Sequence, residues 1–191
     1  FHHVASAIGL GLDVVTTSAD GPIGHGIGPR LEALDVQAVL TGEPGAPTDL
    51  REKSLFIAGR ILEETGSAPV TRGYKTAQEV LDNGQAAKSF EAIVQAQGAK
   101  DLPPEARYRS VIESERDGRL RDVDCLAINR IAKLAGSPAH PSAGLRCRFT
   151  AGHIVSRGEP LLEIHAESEE QLRLAAEYTT AEQSRIFRFG Y

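Results

Sequence analysis

Hydrophobic positions at helical or strand-like spacing run along the chain, and glycine or proline marks most of their ends. Residues 13–17 (DVVTT) are short and β-branched, which predicts a buried strand. A glycine-rich turn follows at residues 21–29, and Pro29 stands where the first turn of a helix tolerates proline. Apolar residues then recur at helical spacing as far as Gly42. The pattern predicts a strand, a turn and a helix in that order.

Three more helices are predicted before residue 99. Thr48 or Asp49 can cap the first, and Glu52 stands three residues after Asp49 as in a capping box. This helix ends at Gly66, and the next two end at Gly84 and Gly98. The spacing turns apolar side chains of the last two helices inward: Ala77, Val80 and Leu81 in one, and Ala87, Phe90, Ile93 and Val94 in the other.

After a proline-containing linker at residues 99–105, the pattern changes to alternation. Strands are predicted near residues 108–114, 146–149, 153–155, 161–166 and 186–189, with a helix over 125–135. Ser168 with Gln171 three residues later predicts the capped start of a last helix. We therefore expect two units: a mostly helical one at residues 1–104 and a β-rich one at residues 105–191.

Composition and charge restrict the function classes. The chain has 191 residues, of which 41% are hydrophobic and 25% charged, as in ordinary globular proteins. A net charge of -5 and an aromatic content of 5% without Trp argue against nucleic-acid binding. No apolar run reaches the roughly 18 residues of a membrane span, so we expect no membrane association and a cytoplasmic protein.

The cysteines and the absence of methionine refine this picture. Cys125 and Cys147 are the only cysteines and form no CxxC pair, so neither a disulfide framework nor a thiolate zinc site is indicated. A reducing compartment fits this usage. Met is absent, even from position 1, and the first residues resemble the end of a helix. We expect this chain to be a piece of a longer one.

The turn at residues 21–29 (GPIGHGIGP) is the strongest local feature. Backbone N–H groups of such a turn before a helix can hold a phosphate. However, Gly24, Gly26 and Gly28 do not form G-x-G-x-x-G, and the P-loop pattern is absent from the sequence. We predict that these glycines serve tight turning and close packing. His25 could contact an anion or transfer a proton, but we expect it to make structural hydrogen bonds.

The other polar candidates predict no catalytic or metal site. His140, His153 and His165 are scattered without the spacing of a helical metal site, so no metal ion or cofactor is expected. We interpret the carboxylate pairs Glu63-Glu64 and Glu169-Glu170 as solvated surface. No serine lies in a G-x-S-x-G elbow, which argues against that class of hydrolase.

Several segments together resemble the thymidine/pyrimidine-nucleoside phosphorylase family, most closely the branch that includes archaeal AMP phosphorylases. These segments are 20–36 (DGPIGHGIGPRLEALDV), 40–44 (LTGEP), 49–52 (DLRE), 91–98 (EAIVQAQG) and 152–166 (GHIVSRGEPLLEIHA). The resemblance covers nearly the whole chain. It implies an α/β (α+β) fold, in which part of the phosphorylase α/β domain precedes a C-terminal domain of the barrel-sandwich-hybrid type.

The resemblance also implies a reaction. Members of the family split a nucleoside or nucleotide with inorganic phosphate. The resemblance further implies that the parent enzyme is a homo-oligomer. The family holds phosphate with a Lys-x-Ser segment and the base with an Arg and Ser-x-x-x-Lys. None of the five lysines here completes either motif. We therefore assign no catalytic residue and expect the isolated 191-residue chain to be inactive.

Two alternatives stay open at this point. The pattern G-x-x-V-x-x-G-x-x-L in residues 152–161 is shared with biotinyl and lipoyl domains, which carry their group on a lysine. No lysine follows Lys133 in this chain, so only a non-catalytic interaction or structural module of that type remains. A dinucleotide-binding fold is a more distant alternative because its glycine fingerprint is missing.

Overall fold

A computed structural model of the chain describes residues 1–150 and 152–190. Its first half is mostly helical, and its elements are α1 (His2–Ala7), the short strand β1 (Gly26–Ile27), α2 (Pro29–Thr41), α3 (Thr48–Glu64), α4 (Gly73–Asp82) and α5 (Gln85–Ala96). Pro29 occupies the first turn of α2, and Gly42 ends that helix in the left-handed conformation. The sequence predicted both ends.

Helices α3 and α4 make a close crossing. A Cβ added to Gly59 on α3 would lie 2.8 Å from the backbone carbon of Gly73, the first residue of α4. Only glycine lets two backbones approach this closely. The two glycines therefore fix the crossing point of the helices.

The strand predicted at residues 13–17 is wrong. This segment has no regular secondary structure, and Val14 and Val15 are exposed. A strand needs a hydrogen-bonded neighbour, and the strands of the described residues pair elsewhere. The segment is held by Asp13, whose carboxylate accepts a hydrogen bond from Arg60 of α3 at 2.7 Å.

Two further details of the helical half correct the sequence prediction. Neither Thr48 nor Asp49 caps α3, because Pro47 is the N-cap residue and no side chain bonds there. Asp49 instead bonds the turn before α2, and Glu52 bonds Arg51. The inward face predicted for α5 is also wrong, since that helix has no buried residue and Phe90 and Ile93 are exposed.

The second half is built from two antiparallel sheets with helices packed against them. Its elements are β2 (Tyr108–Glu113), β3 (Gly118–Val123), α6 (Cys125–Leu134), β4 (Gly144–Cys147), β5 (Ile154–Val155), β6 (Pro160–Ala166), α7 (Glu169–Ala181), α8 (Gln183–Ile186) and β7 (Phe187–Gly190). One sheet has the order β1-β4-β6-β2 and the other β5-β3-β7. The predicted mixed fold is confirmed. Ser168 caps α7 as predicted, accepting a hydrogen bond from the Gln171 backbone at 3.2 Å.

The core lies between these sheets and helices. Fully buried side chains come from β3, α6, β4, β6 and the end of the chain; among them are Leu120, Ile131, Leu145, Leu161, Ile164 and Phe187. Strand β1 pairs with β4 in the register Gly26 to Arg146 and Ile27 to Leu145. The glycine-rich turn of the first half is therefore joined to a sheet of the second half. None of the helices among the described residues could span a lipid bilayer.

Candidate functional site

The glycine-rich turn before α2 is held by carboxylates from the chain itself. The Asp35 carboxylate accepts hydrogen bonds from the backbone N–H groups of His25 and Gly26, each at 2.6 Å. Asp49 accepts one from Gly24 at 3.1 Å. Backbone donors that would otherwise suit a phosphate are thus already paired with anions. This geometry supports the prediction that the turn serves packing.

Two glycines of the turn are required by close contacts. Gly24 has a φ of +78°, and a Cβ there would lie 2.8 Å from Asp35 Oδ2. A Cβ on Gly26 would overlap the backbone carbonyl of Leu31. A larger residue at either position would push helix α2 away from the turn.

Asp35 is the anchor of this arrangement, and the sequence reasoning missed it. It is 4% exposed and occupies the buried face of α2 between Leu31 and Val39. The sequence contains a signal for this role: Asp35 stands four positions from Leu31 and four from Val39. Residues i, i+4 and i+8 share one helix face, so this spacing places the carboxylate on the apolar face of α2. Buried carboxylates are normally paired or hydrogen-bonded.

His25 lies half-buried in the turn, directly before β1, and its backbone carbonyl accepts a hydrogen bond from the Cys147 N–H at 2.6 Å. Its side chain lines a pocket of about 310 Å³ between the turn and strands β4 and β5. Arg146, Arg148 and His153 line the same pocket. The structure therefore brings His25 and His153 together with two arginines that the sequence reasoning did not select.

The remaining histidines lie apart from this pocket. His140 is exposed in the loop after α6. His165 on β6 is buried, with Nε2 at 3.1 Å from Glu163 Oε1. That contact has the distance of an ion pair but not the angles of a hydrogen bond. Burial lowers the pKa of His165, while Glu163 opposes this effect. The neutral ring is therefore favoured.

The cysteines are both free thiols in this structure. Cys125 is exposed at the start of α6, whereas Cys147 is buried on β4. Burial raises the pKa of Cys147 to about 12. It raises the pKa of Cys125 as well, together with the nearby Asp122 and Asp124. Neither thiol has the lowered pKa of a reactive nucleophile.

One carboxylate prediction is wrong. Glu63 is not solvated surface: its side chain is 11% exposed, bonds Arg60 at 3.3 Å and accepts a hydrogen bond from the Gly73 backbone at 2.8 Å. It thereby satisfies a donor at the start of α4. Glu64, Glu169 and Glu170 are exposed, as predicted, and the last two lie in the first turn of α7. Among residues 1–150 and 152–190, no group of His, Cys, Asp or Glu could hold a metal ion.

Comparison with known proteins identifies the second half of the chain. Residues 119–184 match the family "Pyrimidine nucleoside phosphorylase C-terminal domain". These residues contain the helices α6 and α7 and the strands β4 to β6 described above. The chain carries a pyrimidine nucleoside phosphorylase C-terminal domain.

Whole relatives extend the similarity to nearly all of the chain. A "Putative thymidine phosphorylase" of Rhodopseudomonas palustris is 43% identical over 183 residues, which is 95% of this chain and 36% of that protein. "Putative thymidine phosphorylase 1" of Cupriavidus necator is 43% identical over 93% of this chain and 34% of its own length. A "Putative thymidine phosphorylase" of Legionella pneumophila is 41% identical over 96% of this chain and 35% of its own length.

The predicted resemblance to the thymidine/pyrimidine-nucleoside phosphorylase family is confirmed by these matches. The chain spans about a third of the length of the curated relatives it matches. The similarity includes the helical residues before the phosphorylase C-terminal domain.

Proposed function

We propose that this chain is the C-terminal part of a cytoplasmic nucleoside phosphorylase. The parent enzyme would be a pentosyltransferase that cleaves the N-glycosidic bond of a pyrimidine nucleoside, thymidine or AMP with inorganic phosphate. Its products would be the free base and a ribose or deoxyribose 1-phosphate derivative. The observation that carries this proposal is the 43% identity over 95% of the chain to the Rhodopseudomonas palustris protein named "Putative thymidine phosphorylase".

The chemistry of phosphorolysis explains the role proposed for this part. The reaction needs fixed cationic groups around a phosphate dianion and an electron-poor sugar in the transition state. The lysine motifs of the family are absent from these 191 residues. We therefore infer that the catalytic groups belong to the rest of the parent enzyme, and that residues 1–191 support it from one side.

Exposed apolar side chains support a large contact with another part of the parent. They lie on helices α1, α3 and α5 and in the segment after α1; among them are Val4, Ile8, Leu10, Phe56, Ile61, Phe90 and Ile93. Exposed apolar side chains in such number are typical of an interface. We propose that the rest of the α/β phosphorylase domain, or a second subunit of a homo-oligomer, covers it.

The proposal also includes the division of the chain. Residues 1–104 would complete the α/β phosphorylase domain, and residues 105–191 would form the C-terminal domain. Limited proteolysis tests this division. Cleavage first between Lys100 and Glu105 supports two units, and a protected linker contradicts them.

An interaction or structural module is the second candidate, and the exposed apolar surface also favours it. The proposed activity is tested on the purified parent chain that contains residues 1–191, by release of free base from thymidine, uridine and AMP. We expect release that depends on inorganic phosphate. Absence of release from all three substrates would favour the interaction module. Mass spectrometry of the protein made in cells tests for a covalent cofactor, and we expect no adduct of biotin or lipoate size.

A further inference from the structure

Arg146 stands out among the arginines of the chain. Four arginines are half-buried in the described residues, and three of them lie within ion-pair distance of a carboxylate: Arg30 with Glu105, Arg51 with Asp82, and Arg60 with Asp13. Within the same residues, Arg146 has no carboxylate at that distance. A half-buried guanidinium without an anion retains the desolvation cost of burial with no compensating charge.

The pocket beside Arg146 has walls of one sign. The residues that line it are His25, Gly45, Arg146, Cys147, Arg148, Phe149, Thr150 and His153, and none of these is acidic. The chain as a whole has a net charge of -5. A concave, basic surface on an acidic protein concentrates anions locally. The surface formed by these lining residues is the basic pocket.

Two carboxylates that do not line the basic pocket contact basic residues that do. Glu163 accepts a hydrogen bond from Arg148 at 2.8 Å, and Glu159 lies 3.2 Å from the His153 ring. Glu163 also lies 3.1 Å from His165 and is the cross-strand partner of Arg146, but among the described residues no carboxylate is within ion-pair distance of the Arg146 guanidinium. Thr150, which carries a hydroxyl group, is a further polar residue of the lining.

We propose that the basic pocket binds a phosphate group, held mainly by Arg146 and Arg148 with His25 and His153 as neighbouring donors. Guanidinium groups bind phosphate through paired, charge-assisted hydrogen bonds. A cavity of about 310 Å³ is roughly ten times the volume of one water molecule in the liquid, so it can hold a phosphate and part of the molecule that carries it. Only side chains would bind the phosphate here, because the backbone N–H groups of Gly24 and Gly26 in the turn already donate to Asp49 and Asp35.

The ligand could be inorganic phosphate or a phosphate monoester, and the same titration distinguishes them. The 191-residue chain is titrated by calorimetry with inorganic phosphate and, separately, with ribose 5-phosphate at constant ionic strength. Arg146→Gln is the test variant, and Arg157→Gln is the control with the same charge change on an exposed side chain. Thermal unfolding of each variant shows whether it is folded.

We expect saturable binding of at least one probe, about 10-fold or more weaker in Arg146→Gln and unchanged within about twofold in Arg157→Gln. The tighter probe identifies the source of the phosphate. His25→Asn changes a second lining residue, which belongs to the turn, and it should also weaken binding. Absence of binding of both probes, or an equal loss in Arg146→Gln and Arg157→Gln, would overturn the proposal. The experiment needs no phosphorolytic activity, so its outcome is independent of the proposed function.

Discussion

The carboxylate of Asp35 lies 2.6 Å from the backbone nitrogen of Gly26 and holds the turn against the helix that follows it. The same oxygen accepts the N–H of His25. Because strand β1 begins at Gly26 and pairs with β4, this contact also sets how the helical half joins the sheet. Asp35 thus connects α2, the turn and the phosphorylase C-terminal domain.

Replacement of Asp35 by alanine should destabilise the chain. Two backbone N–H groups would lose a charged acceptor, and leaving a buried donor unpaired costs about 1–3 kcal/mol. We expect the free energy of unfolding to fall by about 2–4 kcal/mol, measured by urea denaturation. Glu79→Ala, on the exposed side of α4, is the control and should change it by less than about 0.5 kcal/mol. Equal stability of both variants would contradict the anchoring role.

Gly26→Val should also cost stability without altering phosphate use. A Cβ at this position overlaps the Leu31 carbonyl, so we expect a loss of roughly a few kcal/mol in the free energy of unfolding. Gly11→Val is the matched control, because no atom lies within 4 Å of a Cβ there. In the parent enzyme the KM for phosphate should stay nearly constant. A large rise in that KM at unchanged stability would show that the turn binds phosphate directly.

Stability should decline at alkaline pH because of Cys147. Its thiol stays protonated in the folded chain up to a pKa of about 12, whereas its ordinary value is 9.0. Above pH 9 the unfolded thiol loses its proton and the folded one keeps it, so rising pH favours unfolding by up to about 1.4 kcal/mol per pH unit. Urea denaturation between pH 8 and pH 10 should show a shallower decline for Cys147→Ala than for the unmodified chain. Identical slopes would contradict the burial of this thiol.

The two thiols should also differ in reactivity. Cys125 is exposed and Cys147 is buried, so a maleimide reagent should label one thiol per folded chain and two in urea. Peptide mapping locates the label, which we expect on Cys125 under native conditions. Cys125→Ser should abolish native labelling. Rapid labelling of Cys147 in the folded chain would show that β4 is accessible.

The sequence correctly predicted helix ends that are set by a residue at or next to the end itself. Pro29 and Gly42 delimit α2, and the Ser168 hydroxyl caps α7, because each feature acts within a few residues of itself. Strands β2, β4, β5, β6 and β7 of the second half were also predicted, since alternation reports one buried face, whereas β3 was missed. Their order in the two sheets was beyond local reasoning because it depends on distant pairing.

The sequence prediction failed where a distant partner decides the outcome. Residues 13–17 have strand composition, but without a neighbouring strand they form no regular secondary structure and are exposed. Glu63 lies in a charged pair on the sequence, yet it is covered because Gly73 brings α4 close to it. Arg146 was not selected because only the folded chain shows that, among residues 1–150 and 152–190, no carboxylate lies within ion-pair distance of it.

The central claim is that these residues are the C-terminal part of a nucleoside phosphorylase, and a chimera tests it most directly. Residues 1–191 replace the corresponding segment of the Rhodopseudomonas palustris relative, to which they are 43% identical. The intact relative provides the reference rate, and the relative without this segment provides the background. We predict that the chimera releases base from a nucleoside in a phosphate-dependent reaction, well above the truncated protein. A folded chimera with no more activity than the truncated protein, beside an active intact relative, would contradict the claim.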